Sequence, residues 1–303
     1  ALGGDEYPST AIGINLPNAD WIRAQHGSKS VTISNITEAY NVAARGNGML
    51  EEFVCDELTV KMIRRYGDRC DELHTDLHEC LGHGSGQLLP GTDPDALKAY
   101  GNTIEEACAD LFALYYIADE KLVELGLLED REAYKSNYYT YMMNGLMTQL
   151  VRIKPGCQIE EAHMRNRALI ARWCMANGDA VRMVKRDGKT VVVVNDYEGL
   201  RQQIAQLLAE VQRIKSEGDY DAAKALVEEY GVKIDPQLHE EVLDRYHRLD
   251  IAPYKGFLNP DFIVGGDTRQ EEPTLKTAKD IRLSYKTTFV EQMLEYSRRY
   301  NGN

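Results

Sequence analysis

The chain has 303 residues, with 35 Lys and Arg against 48 Asp and Glu, for a formal net charge of −13. Its 43% hydrophobic and 27% charged fractions are those of a globular protein long enough for about two domains, which excludes global disorder and fibrous or disulfide-dense scaffolds. The carboxylate surplus argues against nucleic acid, whose phosphates demand clustered Lys and Arg, and no apolar run approaches the ~20 residues of a membrane span.

Residues 1–36 are rich in Gly, Pro, Ser and Asn, with short apolar runs at Ala11–Leu16 and Val31–Ile33 that suit strands and loops. Helical texture sets in at about residue 37. The clearest stripe, Ala107, Leu111, Leu114, Ala118, Leu122 and Leu125, predicts one long helix from Asn102 or Thr103 to Gly126. Further helices are expected over about 131–151 and 159–176. Asp187-Gly188, set between two valine-containing runs, signals a two-residue turn in a hairpin spanning 180–195. Helical texture returns over about 197–216, 220–230 and 236–248, residues 253–264 read as extended, and 277–299 has helical composition. The expected fold class is mainly α with a minor β component, a helical lobe plus part of a second, mixed α/β lobe. Residues 1–45 are assigned to the lower lobe, 46–250 to the helical lobe with its one hairpin, and 251–303 to a return into the lower lobe ending in a helix.

The six cysteines never take C-x-x-C spacing, so they read as free thiols of a reducing, cytoplasmic compartment. The opening Ala1-Leu2-Gly3-Gly4 has neither an initiator Met nor a signal pattern, and the chain is expected to begin partway through a longer product.

The informative stretch is His78-Glu79-Cys80-Leu81-Gly82-His83. Histidines four apart share one face of an α-helix, but these are five apart, about 140° around an ideal helix. A single π-type turn would absorb the extra residue and restore the common face, with Gly82 as the least costly place for the distortion. Two imidazoles on one face suit one Zn²⁺ ion, and Glu79, directly after the first, suits a general base acting on water. His74, one turn before His78, reads as a supporting or surface residue. A third ligand is required, and Glu105, Glu106 and Asp110 lie near the start of the predicted long helix. Glu106 and Asp110 share a face, which could supply one oxygen ligand and one acceptor for a ligand imidazole's second N–H. Spacing alone leaves the same acids equally readable as a capping box and as dipole-compensating charges.

Together with Glu105-Glu106-Ala107-Cys108-Ala109-Asp110, this stretch resembles the paired H-E-x-x-G-H and E-E-x-x-A-[DE] signatures of the dipeptidyl-peptidase III family of zinc exopeptidases. Gly13–Asn18 and Glu161–Arg167 are also similar, so the likeness runs from about residue 11 to 264. The resemblance implies His78, His83 and Glu106 as zinc ligands, Glu79 as base, and Glu105 and Asp110 as supports behind the ligands. It further implies His163 as the residue stabilising the developing oxyanion, although spacing alone would make it a polar flank of a helix. Asn15, Asn18, Arg167 and Lys255 match substrate-contacting positions. The family fold places a helical zinc-bearing lobe over a lower lobe containing a β-barrel, and its members are considerably longer than this chain. Because the residues that hold a substrate's free amino group lie upstream in that family, the chain alone is expected to be a poor dipeptidyl-peptidase. The resulting expectation is a zinc metallopeptidase releasing dipeptides from short peptides, with no nucleic-acid or membrane partner. The alternatives are a non-catalytic peptide-binding module with structural zinc and a zinc aminopeptidase removing single residues.

Overall fold

The computed structural model describes residues 13–16, 22, 25–251, 261–265, 280–284 and 289–300. In chain order the elements are β1 (Gly13–Leu16), β2 (Lys29–Thr32), α1 (Ser34–Ala44), α2 (Met49–Phe53), α3 (Glu57–Leu77), α4 (Gly101–Ile117), α5 (Glu120–Glu124), α6 (Tyr134–Leu146), α7 (Ala162–Ala176), β3 (Val181–Arg186), β4 (Lys189–Val194), α8 (Tyr197–Glu217), α9 (Tyr220–Leu226), α10 (Pro236–Arg248), β5 (Asp261–Gly265), β6 (Asp280–Ser284) and α11 (Phe289–Tyr300), with π-helical turns at His78–Gly82 and Val227–Val232. The chain is mainly α with a minor, antiparallel β component. Two compact units divide it, residues 13–32 with 47–251, and residues 1–12 with 33–46 and 252–303. The second unit contains α1, the antiparallel pair β5–β6 and α11. None of the described helices is long and apolar enough to cross a membrane.

Helix α4 organises the larger unit. Ile104, Ala107, Cys108, Leu111, Leu114 and Ile117 are all buried, and a helix apolar around most of its circumference must be covered on most sides. Helices α3, α6, α7 and α8 supply that cover. Each large apolar side chain removed from water there contributes about 1.5–3 kcal/mol. Side-chain caps set the helix starts: Asp56 accepts from Thr59 N–H, Glu161 from His163 and Met164, Asp196 from Gly199, and Asp235 from Gln237 and Leu238. Asp187 and Gly188 both have positive φ, 49° and 79°, which makes the β3–β4 turn the type I′ expected of an Asp-Gly pair.

Four elements differ from the sequence expectation. The helix expected to reach Gly126 stops at Ile117, because the Asp119 carboxylate caps a new short helix by accepting from Lys121 N–H at 2.9 Å. The helix expected over 131–151 ends at Leu146, where Met147 takes φ −138° and a 3-10 turn, Thr148–Arg152, follows. Helix α7 begins at Ala162, since the N–H of Ile159 is given to Val232 C=O rather than to a helix. Residues 280–284 form a strand instead of the beginning of a helix; Asp280-Ile281-Arg282-Leu283-Ser284 alternates polar and apolar, a period that outweighs helical composition.

Candidate active site

Helix α3 runs without a break into the π turn, and there the His83 N–H donates to His78 C=O at 3.0 Å, a bond spanning five residues instead of four. The extra residue brings the two imidazoles together, their ring centroids 4.7 Å apart and their planes nearly perpendicular at 86°. Gly82 is needed for a reason other than backbone distortion. A Cβ on it would lie 2.5 Å from Ala109 Cα and 2.7 Å from Ala109 O, so the missing side chain lets α4 press directly onto the turn.

That approach delivers the acids. The Nε2 atoms of His78 and His163 each lie 3.3 Å from Glu106 Oε2, and His83 Nε2 lies 3.9 Å from it. The opposite nitrogens are occupied: His78 Nδ1 is 2.7 Å from Asp110 Oδ1, His83 Nδ1 is 3.0 Å from Glu105 Oε1, and His163 Nδ1 is 2.7 Å from Glu161 Oε1. Asp110 also accepts from Tyr141 Oη at 2.7 Å and Asn166 Nδ2 at 2.9 Å, and its Oδ1 lies 3.2 Å from His74 Nε2.

Strand β1 crosses the π turn beside Glu79. A Cβ on Gly13 would fall 2.4 Å from Glu79 Oε1. Asn15 Nδ2 and Ser30 Oγ both donate to the Glu79 carbonyl, at 3.0 and 2.9 Å, and fix the backbone of that residue. Burial pushes the Glu79 carboxyl above its ordinary range, against the pull of His78 and His83. For Glu105 burial acts in the same upward direction, but the His83 hydrogen bond and the Lys215 ammonium outweigh it and hold the carboxyl at about 2. Burial also opposes ionisation of Asp110, yet the hydrogen bonds from His74 and His78 keep it well below the usual carboxylate value.

The sequence model of peptidase family M49 matches residues 7–99 and 95–247. This chain belongs to peptidase family M49. Among characterised proteins, dipeptidyl peptidase 3 of Dictyostelium discoideum is 24% identical over 271 residues, covering 74% of this chain and 38% of that protein. Dipeptidyl peptidase 3 of Mus musculus is 25% identical over 265 residues, covering 74% and 35% respectively. The M49 chain thus spans little more than a third of the length of these relatives. The solved DPP III from Caldithrix abyssi, 26% identical, superposes with a TM-score of 0.59 over 78% of this chain and 43% of that one. The dipeptidyl-peptidase III from Corallococcus sp. strain EGB, at 24% identity and a TM-score of 0.61, has the same fold over 81% of this chain.

The donor set of the M49 chain fits a metal ion. Glu106 Oε2 is buried and lacks a hydrogen-bond partner, although three imidazole Nε2 atoms surround it. Imidazole nitrogens and a carboxylate gathered this closely are donors of the kind that hold a divalent cation. His78, Glu79 and His83 offer ligand atoms within 4.8 Å of one another. His163 is the outermost member, its side chain 52% exposed, so one side of the cluster is open to solvent.

Of the residues singled out in the sequence, His78, Glu79, His83, Glu105, Glu106, Asp110 and His163 are brought together. Asn15 reaches the cluster through the Glu79 backbone. Arg167 is half-buried one turn beyond His163, and no ion pair joins it to these carboxylates among the described residues. Asn18 and Lys255 lie outside the described residues. Sequence reasoning missed Tyr141, Asn166 and Lys215. Asn166 lies inside the Glu161–Arg167 segment, and Lys215 is a charge adjoining the apolar stripe Leu207, Val211 and Ile214, a signal that could have been read.

Proposed function

We propose that this chain carries the catalytic centre of a zinc-dependent peptidase that releases dipeptides from the N-termini of short peptides. The convergence of three imidazole nitrogens on Glu106 beside the Glu79 carboxylate carries the reading. The dipeptide product follows the names of the relatives. His78, His83 and Glu106 would hold the ion, and zinc, when bound, supplies Lewis acidity toward the scissile carbonyl and lowers the pKa of water.

Glu79 is the general base. Its carboxylate takes a proton from the attacking water and returns it to the leaving amine as the C–N bond breaks, a task suited to a carboxyl raised by burial. Asn15 and Ser30 hold the Glu79 carbonyl, so on this reading Asn15 serves the base rather than the substrate. Asp110 and Glu105 accept the Nδ1–H of His78 and His83, which fixes the tautomer that turns each Nε2 lone pair inward. His163, on the open side, donates to the oxyanion that develops on the carbonyl.

Glu79→Gln should keep one zinc per chain and lose about 10²–10⁴-fold in turnover. At about 1.36 kcal/mol per tenfold that is roughly 2.7–5.4 kcal/mol of transition-state stabilisation. Metal analysis beside steady-state kinetics checks it, and substantial residual hydrolysis overturns the assigned role. Product masses of two residues, rather than one, separate the dipeptidyl reading from an aminopeptidase.

A further inference from the structure

Lys215, in the last turn of α8, is only 8% exposed, and none of the steps above employs it. A buried ammonium is costly unless paired, and this one is paired toward the metal turn. Its Nζ lies 2.6 Å from Glu105 Oε2 and donates to the Ser85 carbonyl at 3.4 Å. The other oxygen of the same carboxylate, Oε1, lies 3.0 Å from His83 Nδ1.

The neighbourhood keeps Lys215 in place. Gln212, less than one turn earlier, donates to Ser85 Oγ at 3.2 Å and to Cys108 Sγ at 3.0 Å, tying α8 both to the segment leaving the π turn and to α4. The Ser216 carbonyl accepts from Leu89 N–H at 2.8 Å and from Thr92 Oγ1 at 3.1 Å, which holds the same segment further along. The two histidines are therefore backed differently. Behind His78 stands Asp110, met by Tyr141, Asn166 and the His74 imidazole, whereas behind His83 stands Glu105, braced by the Lys215 ammonium from α8.

We infer that Lys215 is a positioning residue for the metal site: by pinning Glu105 Oε2 it orients Oε1 to accept the His83 Nδ1–H, which leaves His83 Nε2 as the ligand nitrogen. This rests on the zinc reading of the site. Helix α8, remote in sequence from both motifs, becomes part of the metal centre through a single side chain.

The test measures Zn²⁺ affinity by competition with a chromophoric chelator, and the visible spectrum of the Co²⁺-substituted protein, in the 303-residue chain and its variants. Lys215→Met should retain the far-UV circular dichroism of the parent, lose about tenfold in Zn²⁺ affinity and shift the cobalt bands, and Lys215→Arg should recover most of the loss. Because Lys215 acts through Glu105, Glu105→Gln and the Glu105→Gln/Lys215→Met pair should be equally impaired. That pair removes both charges and decides the matter if Lys215→Met alone does not fold. Parental affinity and spectrum in Lys215→Met, or additive losses in the pair, overturn the inference while leaving the zinc reading intact. A parent chain that binds no Zn²⁺ overturns both.

Discussion

Replacing Gly82 by Ala tests whether the metal site depends on how closely α4 approaches the π turn. The added Cβ would sit 2.5 Å from Ala109 Cα, against an ordinary contact of at least 3.4 Å, so backbone must yield by 3.4 − 2.5 = 0.9 Å. No flexible side chain can absorb this, since the nearest atoms are the Cα, carbonyl oxygen and Cβ of Ala109. Ala109 is flanked by Glu105, Glu106 and Asp110 on α4, and metal–ligand distances tolerate only about 0.2 Å. The displacement exceeds that tolerance more than fourfold. Overpacking of this kind costs about 1–3 kcal/mol, which in a chain of this size lowers Tm by roughly 2–5 °C. Zn²⁺ affinity should fall by about tenfold or more, because Glu106 moves relative to His78 and His83. Thermal unfolding of the metal-free chain and chelator competition on the same preparation separate the two effects. A variant with lowered Tm but parental Zn²⁺ affinity refutes the reasoning, since it would mean that Gly82 serves packing alone.

Gly13→Ala meets the Oε1, Cδ and Cγ atoms of the Glu79 side chain, with no backbone among its nearest contacts, so it should leave Zn²⁺ affinity and Tm near parental values while reducing turnover by displacing the base; a loss of metal instead contradicts this. Glu241 is held at about 2, below its ordinary 4.5, because hydrogen bonds from Lys185 and Thr190 outweigh its burial. A lowered carboxyl stabilises the fold above about 4.5 and loses that contribution as pH falls toward about 2, so the Tm gap between the parent and Glu241→Gln should close over that interval, as scanning calorimetry at stepped pH can follow. Asp110→Asn should cost roughly tenfold in Zn²⁺ affinity with a stability loss of about 1–2 kcal/mol, read from chelator competition and urea unfolding.

The parts of this site legible in sequence are those set by local geometry. A six-residue His-Glu-x-x-Gly-His run admits one common face only if the helix gains a residue, and the five-residue hydrogen bond from His83 to His78 is that gain. Asp187-Gly188 needed no tertiary information either, because two left-handed residues define the turn. The role of Gly82 was legible as necessity but not as cause, since the constraint is Ala109 on a helix nearly 30 positions away. Tyr141, Asn166 and Lys215 act through contacts between helices, and no spacing within one helix encodes which carboxylate a distant side chain will meet. The 280–284 strand was legible in its alternation and was obscured by composition.

Asp110 shows why the fold and the candidate chemistry are hard to separate here. Its two oxygens meet donors from four segments: His74 on α3, His78 in the π turn, Tyr141 on α6 and Asn166 on α7. A carboxylate 5% exposed is tolerable because each lone-pair direction meets a donor, and charge-assisted bonds of this kind each contribute about 1.5–3 kcal/mol. An amide in its place need not break the cluster. Its oxygen can face His78 and His74, and its NH₂ can face Asn166, whose buried Oδ1 lacks a partner and becomes an acceptor if that side chain flips, while the Tyr141 hydroxyl rotates to accept. The bonds to His78 and His74 then survive, whereas the Tyr141 hydroxyl and the Asn166 amide lose their charged acceptor and the negative charge behind His78 disappears. Asp110→Asn therefore isolates the electrostatic part of ligand support: a stability loss far above 1–2 kcal/mol would mean that the charge itself holds the four segments together. Unchanged metal affinity would mean instead that orientation of the imidazole, without any increase in its basicity, is all that Asp110 supplies.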